Sequence, residues 1–375
     1  YDALGQCIMK CDFISLACSG IQDLVPYQPG KPVEELEREL GLTDVIKLAS
    51  NENPLGPSPR VLSAIQQGLS DITRYPDGGG YRLKRALSDK YAVAVDSLTL
   101  GNGSNDVIDL IGRAYLGSGD EVIYSEFSFV AYSIVTQASG ATAVVTPAKA
   151  WGHDLDAMLT AITERTRIIF IANPNNPTGT WVTEQQLTAF LDQVPEQVLV
   201  VLDEAYTEYV EHPEFPNGLL LLERYPNLIV TRTFSKAYGL AGLRVGYAVS
   251  NVQIANILSR VRQPFNVNSL ALLAAEVALS DDEYLAQGMA LNKQGMALYQ
   301  QALTTMGLSY IPSVGNFITV DFTMDAQPIY QAMLEAGVIV RPIASYGMPQ
   351  HLRISIGLQE ENERCLNTLN RVMNL

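Results

Sequence analysis

The sequence predicts an α/β protein in which helices cover a mostly parallel, seven-stranded sheet and a smaller α+β unit packs beside it. Three observations favour this fold class. Short β-branched runs alternate with longer amphipathic stretches, several of the runs are apolar throughout, and the pattern changes after Asn268. Such alternation implies right-handed crossovers between parallel strands. Strands that are apolar on both sides need helices on both faces of their sheet.

Seven runs before Asn268 share strand-like composition, and we predict strands at Ser97–Leu100, Glu121–Tyr124, Thr142–Thr146, Arg167–Ala172, Val198–Asp203, Leu228–Arg232 and Arg244–Val249. The amphipathic stretches around them predict helices at Pro59–Leu69, Gly80–Tyr91, Asp106–Tyr115, Val130–Ser139, Asp154–Ile162, Thr183–Val194 and Asn217–Tyr225.

The region after Asn268 has a different order of elements. A long helical stretch runs to about Met306, and strands are predicted near Phe317–Phe322 and His351–Ile356. We therefore expect a large domain at residues 48–268 and a small domain at residues 269–375. Residues 1–47 are expected to form an N-terminal segment that joins the small domain.

Composition and charge exclude several classes of function. The formal net charge of −15 argues against a nucleic-acid partner, and a phosphate or carboxylate site must therefore be built from local arginines and backbone amides. Three histidines and four cysteines without a Cys-x-x-Cys pair predict reduced thiols and no metal site. No apolar run approaches the roughly 20 residues that span a bilayer, and no secretion signal is visible. We expect a cytoplasmic protein with no membrane partner.

A glycine-rich turn follows the first predicted strand of the large sheet. Gly101–Asp106 contains Gly103, Ser104 and Asn105 and leads directly into an apolar helix. Glycines let the backbone approach a ligand closely, and the free N–H groups of a helix N-terminus bind anions. An ordinary capped helix start and a dinucleotide-binding turn are the alternatives, but Asp106 replaces the third glycine of the dinucleotide motif and would oppose a pyrophosphate. A single phosphate fits better.

Polar residues also follow three later strands. Asn176 lies in a dense turn of asparagines and prolines, while Asp203 and Tyr206 follow an apolar strand whose terminal acid needs a partner. Lys236 follows another strand, flanked by hydroxyls and glycines, eight residues before Arg244. Each feature alone has a common explanation, such as a turn, a helix cap or a solvated lysine. Ligands gather at the carboxyl ends of strands in α/β sheets, so we expect these residues to meet.

Together these residues match the needs of one cofactor, pyridoxal 5'-phosphate. Lys236 can form an imine with an aldehyde, Asp203 can keep a pyridine nitrogen protonated, and Asn176 and Tyr206 can hydrogen-bond a phenolate oxygen. The turn at 101–106 can hold a phosphate together with three polar residues, namely Thr233, Ser235 and Arg244. Phe127 is expected to stack on the flat ring. This joint pattern is far more specific than any of its members.

The pattern resembles the fold-type-I pyridoxal-phosphate-dependent aminotransferases from about Leu24 to the C-terminus. Within them it is similar to the histidinol-phosphate aminotransferases, through Leu48–Gly56, Arg74–Asp77, the Asn-Pro-Thr-Gly turn, Asp203–Tyr206, Ser235-Lys236 and Leu352–Gly357. The resemblance implies transfer of an amino group between glutamate/2-oxoglutarate and histidinol phosphate/imidazole acetol phosphate, a step of histidine biosynthesis.

The resemblance also assigns roles to individual residues. Lys236 is implied to be the Schiff-base lysine and proton shuttle, with Asp203 and Tyr206 as its catalytic partners. Tyr75 is implied to reach the cofactor phosphate of a neighbouring subunit, which makes a homodimer part of the active site. Substrate contacts are implied for four residues, which are Tyr27, Asn53, Arg341 and Arg353. The two arginines would supply the local positive charge that an acidic protein needs for anionic substrates.

Other activities stay open at this stage. The stretch Arg341–Gln350 resembles a branch whose members can share activity with aromatic amino-acid aminotransferases. A decarboxylase acting on threonine phosphate has the same fold. A non-catalytic pyridoxal-phosphate-binding regulator would need a basic DNA-binding segment, and residues 1–47 are too short and too poor in basic charge for one. A dehydrogenase is disfavoured by Asp106.

Overall fold

A computed structural model of the chain describes residues 11–27 and 29–374. The first ten residues of the predicted N-terminal segment, including Cys7, lie outside this range. The strands are β1 (Ile46–Lys47), β2 (Leu98–Gly101), β3 (Glu121–Ser125), β4 (Thr142–Thr146), β5 (Ala148–Lys149), β6 (Gly152–His153), β7 (Thr166–Ala172), β8 (Leu199–Asp203), β9 (Leu228–Thr233), β10 (Gly246–Ser250), β11 (Ser309–Ile311), β12 (Phe317–Asp321), β13 (Val338–Ile339), β14 (Arg341–Pro342) and β15 (His351–Ser355).

The α-helices alternate with these strands. They are α1 (Ser19–Gln22), α2 (Val33–Leu40), α3 (Pro59–Gly68), α4 (Tyr81–Tyr91), α5 (Ser104–Tyr115), α6 (Val130–Ala138), α7 (Leu155–Thr160), α8 (Glu184–Leu191), α9 (Gly218–Leu221), α10 (Val252–Val261), α11 (Ser269–Leu279), α12 (Asp282–Thr305), α13 (Gln327–Glu335) and α14 (Gln359–Met373). Among the described helices, none is long and apolar enough to cross a membrane.

The large sheet has seven strands in the order β2-β10-β9-β8-β7-β3-β4. Its neighbours are parallel except at β10, which runs antiparallel to both β2 and β9. The carboxyl ends of β2, β3, β7, β8 and β9 therefore lie along the same edge. The predicted mostly parallel, seven-stranded sheet is confirmed.

Apolar residues on both faces of this sheet explain its helical covering. In β7, Ile168 and Phe170 pack into one apolar layer, while Ile169 and Ile171 pack into the other. Successive side chains of a strand point to opposite faces, so a strand that is apolar throughout is buried on both sides. The two layers hold β7 and β8 rigidly in the middle of the sheet, where they support the residues at their carboxyl ends.

A second, antiparallel sheet lies in the C-terminal part, with the order β11-β12-β15-β14. The strands predicted near residues 317–322 and 351–356 are β12 and β15. The N-terminal segment contacts this region, because β1 pairs in parallel with β13 through Ile46 and Val338. The domain division at 1–47, 48–268 and 269–375 stays a prediction. Since Ala271 and Ala275 of α11 belong to the large apolar core, packing favours a second boundary after α11.

One predicted strand began two residues too early. Arg244 is not part of β10 but lies in a left-handed turn with φ of 56°. Its guanidinium donates to the hydroxyl of Ser235 at 3.2 Å and to the carbonyl of Ala241 at 3.1 Å. The turn thus directs Arg244 back toward the segment that carries Lys236, which an extended strand would not do.

Candidate active site

A cavity of about 460 Å³ opens at the carboxyl edge of the large sheet. Most residues singled out from the sequence line it together, although they are spread from the N-terminal segment to β10. These lining residues are Tyr27, Ser104, Asn105, Asn176, Asp203, Tyr206, Thr233, Ser235, Lys236 and Arg244. The parallel strands explain the convergence, because each strand delivers the residues that follow it to the same edge.

Lys236 places its amine inside this cavity. Its Nζ donates a hydrogen bond to the carbonyl of Ser50 at 2.8 Å, and no described carboxylate forms an ion pair with it. Burial lowers the pKa of Lys236 to about 7, and the positive charge of Arg353 lowers it further in the same direction. A large fraction of the amine is therefore neutral near neutral pH, which is the form that reacts with an aldehyde and accepts a proton.

Asp203 ends β8 and faces the cavity as a buried carboxylate. Its two oxygens accept hydrogen bonds from the hydroxyl of Tyr132 at 2.8 Å and from the hydroxyl of Thr231 at 2.9 Å. Desolvation raises the pKa of Asp203, and the two hydroxyl donors oppose this shift. Neutral donors orient the carboxylate without cancelling its charge. The group is left able to pair with a cationic ligand.

Tyr132 and Thr231 were not among the residues that sequence reasoning picked out. Tyr132 lies on α6, fully buried, and its ring stacks on Phe170 at a centroid distance of 4.5 Å. A tyrosine among apolar residues of a helix indicates only that its hydroxyl needs a partner. The partner, Asp203, is 71 residues away along the chain, so no local pattern relates the two residues.

Tyr206 is held by a second residue that sequence reasoning missed. Its hydroxyl accepts a hydrogen bond from the side-chain amide of Asn51 at 3.0 Å, and burial raises the pKa of Tyr206 to about 12. Asn51 has φ of 55° and also accepts from the hydroxyl of Ser355 at 3.0 Å. Asparagine tolerates this left-handed backbone better than most residues. The motif around it was recognised, but only Asn53 within it received a role.

The turn before α5 forms a cradle of donors. Gly103 has φ of 93°, and a Cβ there would lie 2.5 Å from the Arg244 guanidinium. Only glycine therefore lets Arg244 come this close to the N-terminus of α5, whose first residue is Ser104. The free N–H groups of that helix end and the guanidinium share one corner of the cavity, and together they form a site for a phosphate.

Asp106 does not oppose an anion at this cradle. Its carboxylate accepts hydrogen bonds from the backbone N–H of Asn102 at 2.7 Å and from the side-chain amide of Asn266 at 2.9 Å. Asp106 is absent from the lining of the cavity. The acid in the first turn of α5 thus caps the preceding loop rather than facing a ligand.

The aromatic residue expected to stack on a ligand ring lies beside the cavity lining. Phe127 is not among the lining residues; it contacts Trp151 at a centroid distance of 5.2 Å and packs against Ile343 and Met348. Phe129, two residues later, does line the cavity. The stacking role of Phe127 stays a prediction, and Phe129 is a second candidate for it.

The two arginines predicted for substrates lie directly behind the cavity wall. Arg353 is buried and donates to the side-chain oxygen of Asn176 and to the carbonyl of Ala49, yet no described carboxylate pairs with it. Arg341 lies opposite Arg353 in the pairing of β14 with β15, and its guanidinium covers the ring of Tyr27 at 5.6 Å. Two buried cations side by side favour an anionic ligand.

Asn53 is held by two hydrogen bonds to the backbone, and its predicted contact with substrate stays a prediction. Its amide nitrogen donates to the carbonyl of Ala237 at 2.8 Å, and its oxygen accepts from the backbone N–H of Leu55 at 3.0 Å. The side chain is buried and does not line the cavity. Asn53 therefore holds the segment next to Lys236 in place.

Tyr75 lies on the surface, outside the cavity of its own chain. The residue is 82% exposed, and its ring stacks on Phe265, itself exposed, at a centroid distance of 4.7 Å.

Within residues 11–27 and 29–374, no group of three or more His, Cys, Asp or Glu side chains could hold a metal ion.

Comparison with known proteins agrees with this geometry. Residues 43–369 match the family described as aminotransferase class I and II. A relative from Pseudomonas aeruginosa, described as histidinol-phosphate aminotransferase 2, is 59% identical over 96% of this chain and 99% of its own length. A relative from Mannheimia succiniciproducens, described as histidinol-phosphate aminotransferase 1, is 54% identical over 97% of this chain and 99% of its own length.

The fold also matches a solved structure. The histidinol-phosphate aminotransferase of Sinorhizobium meliloti, solved in complex with pyridoxal-5'-phosphate, superposes with a TM-score of 0.88 at 30% identity, covering 95% of this chain and 97% of that one. The predicted fold-type-I class is confirmed by this likeness. With a family match over most of its length and relatives above half identity, the chain belongs to the class I and II aminotransferases.

Proposed function

We propose that this protein uses pyridoxal 5'-phosphate to transfer an amino group between glutamate/2-oxoglutarate and histidinol phosphate/imidazole acetol phosphate, a step of histidine biosynthesis. The names of the relatives at 59% and 54% identity support the substrate pair. The observation that carries the chemistry is the meeting of Lys236 and Asp203 in one cavity, where neither forms an ion pair with a described residue. A cytoplasmic location stays a prediction.

The residues of the cavity fit this cofactor. The N-terminus of α5 with Arg244 suits its phosphate, the carboxylate of Asp203 suits a protonated ring nitrogen, and the hydroxyl of Tyr206 suits the ring oxygen. Phe129 offers an aromatic face beside the ring. When bound, pyridoxal phosphate supplies an aldehyde that condenses with amines and a ring that withdraws electrons from the substrate carbon.

Lys236 performs the proton transfers in this proposal. Because its pKa is lowered to about 7, the amine gives up and takes back a proton near neutral pH without a large penalty. The carbonyl of Ser50 holds the amine when it is free. Asp203 stays fixed by Tyr132 and Thr231, so no reorganisation is needed when positive charge develops opposite it.

Arg353 and Arg341 bind the anionic ends of the two substrates. Arg353 already holds Asn176 and has no carboxylate partner among the described residues, which suits it to a substrate carboxylate. Arg341, beside Tyr27 at the mouth of the cavity, suits a phosphate or a second carboxylate. Both substrates of the proposed reaction carry such groups.

A homodimer completes the proposed site. Tyr75 and Phe265 form an exposed aromatic pair, and exposed rings of this kind are enriched in protein interfaces. Tyr75 would reach the cofactor phosphate of the partner subunit. The homodimer predicted from the sequence is therefore part of the proposal.

The experiment is a comparison of amino donors with purified, cofactor-loaded protein. We expect kcat/KM for histidinol phosphate to exceed that for phenylalanine by at least about 100-fold, since a buried guanidinium that pairs with phosphate loses that partner with an aromatic amino acid. A preference for phenylalanine would contradict the substrate assignment. Release of carbon dioxide from threonine phosphate, without conversion of the cofactor absorbance, would contradict transamination.

A further inference from the structure

A second cavity, of about 340 Å³, lies between α4, the edge strand β2 and α10. It shares no lining residue with the candidate active site. Its polar wall is formed by Lys84 of α4, Thr99 of β2, Asn256 and Ser259 of α10, and Arg262 just after α10. The proposed transamination uses none of its lining residues.

Two cations of this cavity form no ion pair with a described acid. The ammonium of Lys84 has no hydrogen bond within the part of the chain that the structure describes, and Asp96 and Asp77 act on it only as nearby charges. The guanidinium of Arg262 donates to neutral groups, the side-chain oxygen of Asn266 at 2.8 Å and the carbonyl of Gly78 at 2.7 Å. The lining itself contains these two cations and one acid, Asp96. Burial lowers the pKa of Lys84, and Arg262 lowers it further.

A buried hydroxyl points to a ligand independently of these charges. Thr99 is 3% exposed, lines the cavity, and its Oγ1 has no hydrogen-bond partner among the described residues. An unpaired buried hydroxyl costs free energy, and a native structure tolerates it when a ligand or water completes it. Asn256 adds a donor, because its side-chain oxygen is already held by Arg260 and its amide nitrogen is left over.

We propose that this cavity binds a phosphate group, either as inorganic phosphate or as the end of a phosphomonoester. An ammonium, a guanidinium, a buried hydroxyl and an amide donor converge on it, and phosphate oxygens accept hydrogen bonds from all four. In a chain with a net charge of −15, an anion binds only where such groups are collected locally.

Binding there is expected to stabilise the folded protein. The bound anion would offset the repulsion between Lys84 and Arg262, and Arg262 also holds the carbonyl of Gly78 in the turn before α4. A ligand that binds only the folded state raises the unfolding temperature, and the rise grows with the logarithm of its concentration once the site is saturated.

The first test is calorimetric titration of the cofactor-loaded protein with inorganic phosphate. The cofactor fills the cradle at α5, so the remaining binding reports on other sites. We expect Lys84→Met to weaken phosphate binding by at least about tenfold, as loss of a charged hydrogen bond does. Arg85→Met is the matched control, because it removes the same charge from the next residue of α4. The ion pair of Arg85 is with Asp89 on the surface, away from the cavity lining. Equal binding by wild type and Lys84→Met would overturn the proposal.

A second variant separates binding from folding. Thr99→Val removes the unpaired hydroxyl at nearly constant shape, so without phosphate its unfolding temperature should equal or exceed that of the wild type. With phosphate, the wild type should gain more stability than the variant. An equal gain in stability would contradict the site.

Repeating the titration with glycerol phosphate distinguishes the two sources of the phosphate group. Binding that is tighter than that of inorganic phosphate and depends on Lys84 assigns the cavity to phosphomonoesters. Weaker binding assigns it to free phosphate. Binding of neither overturns the proposal.

Discussion

Two neighbouring acids at the end of β8 have different partners, because Glu204 forms an ion pair and Asp203 does not. Asp203 faces the active-site cavity and receives neutral donors, among them the hydroxyls of Tyr132 and Thr231. Glu204, fully buried, receives the guanidinium of Arg232 through Nε at 2.9 Å and Nη2 at 2.7 Å. One carboxylate keeps its charge for a ligand, and the other is neutralised within the protein.

The same difference extends to the cations of the two regions. Arg232, behind Glu204, is 5% exposed, and Glu204 raises its pKa well above the ordinary value. In the cavity, Lys236 and Arg353 have no described acid paired with them, and burial lowers the pKa of each. Buried charges are costly unless they are paired. The unpaired ones therefore mark where the ligand's charges belong, whereas the paired ones mark structure.

The sharpest way to break this comparison is to neutralise each acid in turn. We expect Asp203→Asn to lower turnover by about 10²–10³-fold and to change the unfolding free energy by no more than about 1 kcal/mol. Glu204→Gln should lower the unfolding free energy by about 3 kcal/mol, because Arg232 loses its buried partner. Steady-state kinetics and denaturant unfolding of both variants measure the contrast. If Asp203→Asn lowered the unfolding free energy as much as Glu204→Gln does, the contrast between the two acids would be contradicted.

Arg353 provides the next largest effect. Removing its charge with Arg353→Gln should raise the KM for glutamate by about 100-fold, since a buried guanidinium that pairs with a carboxylate is worth several kcal/mol. Arg364→Gln is the control, because it removes the same charge from a surface pair with Asp44. If the two variants had the same KM, Arg353 would not bind substrate.

The lowered pKa of Lys236 predicts how cofactor uptake depends on pH. The neutral amine reacts, so the rate of reconstitution of the apoprotein should rise about tenfold between pH 6 and pH 8 and then level off. Arg353→Gln should move this midpoint upward, because the neighbouring positive charge is gone. A rate that keeps rising to pH 10 would indicate an ordinary, solvated lysine.

The stability of the apoprotein should follow the same group with a definite sign. In the unfolded chain Lys236 has an ordinary pKa near 10.5, so between about pH 7 and 10.5 the unfolded state binds more protons than the folded state. The contribution of Lys236 to stability is therefore unfavourable below pH 7 and improves as the pH rises through this window. Lys236→Met should reduce the pH dependence of urea unfolding in this window by the share that Lys236 contributes.

The smallest effect concerns which phenylalanine, Phe127 or Phe129, contacts the cofactor ring. Phe129→Leu should weaken cofactor binding by up to about tenfold, the value of one aromatic contact, whereas Phe127→Leu should leave it unchanged. Equilibrium dialysis of the two apoproteins measures this difference. A larger loss of cofactor affinity in Phe127→Leu than in Phe129→Leu would identify Phe127 as the stacking residue.

Much of the fold could be predicted because the large sheet is built from apolar runs of unmistakable length. The residues that follow its strands were predictable for the same reason, since parallel strands deliver their carboxyl ends to one edge. Arg244 shows the limit at an element boundary, because a left-handed turn and an extended residue look alike in sequence. Phe127 shows the same limit, since residue type does not reveal whether Phe127 or Phe129, both after β3, lines the cavity.

The residues that support the site were harder to predict. Asn51 and Tyr206, which hydrogen-bond each other, are 155 residues apart, and no local pattern relates them. The two asparagines of one motif show the same limit: Asn51 donates to the hydroxyl of Tyr206 and Asn53 to the carbonyl of Ala237, and residue type alone does not decide which partner each one takes. Contacts between distant segments are set by packing rather than by residue type.

The most direct measurement concerns the covalent partner of the cofactor. The loaded protein is reduced with borohydride, digested, and its peptides are analysed by mass spectrometry, with Lys236→Ala treated in parallel. We predict a pyridoxyl group on Lys236 in the wild type and on no peptide of the variant. A pyridoxyl group on another lysine, or an active wild type whose Lys236 stays unmodified, would contradict the assignment.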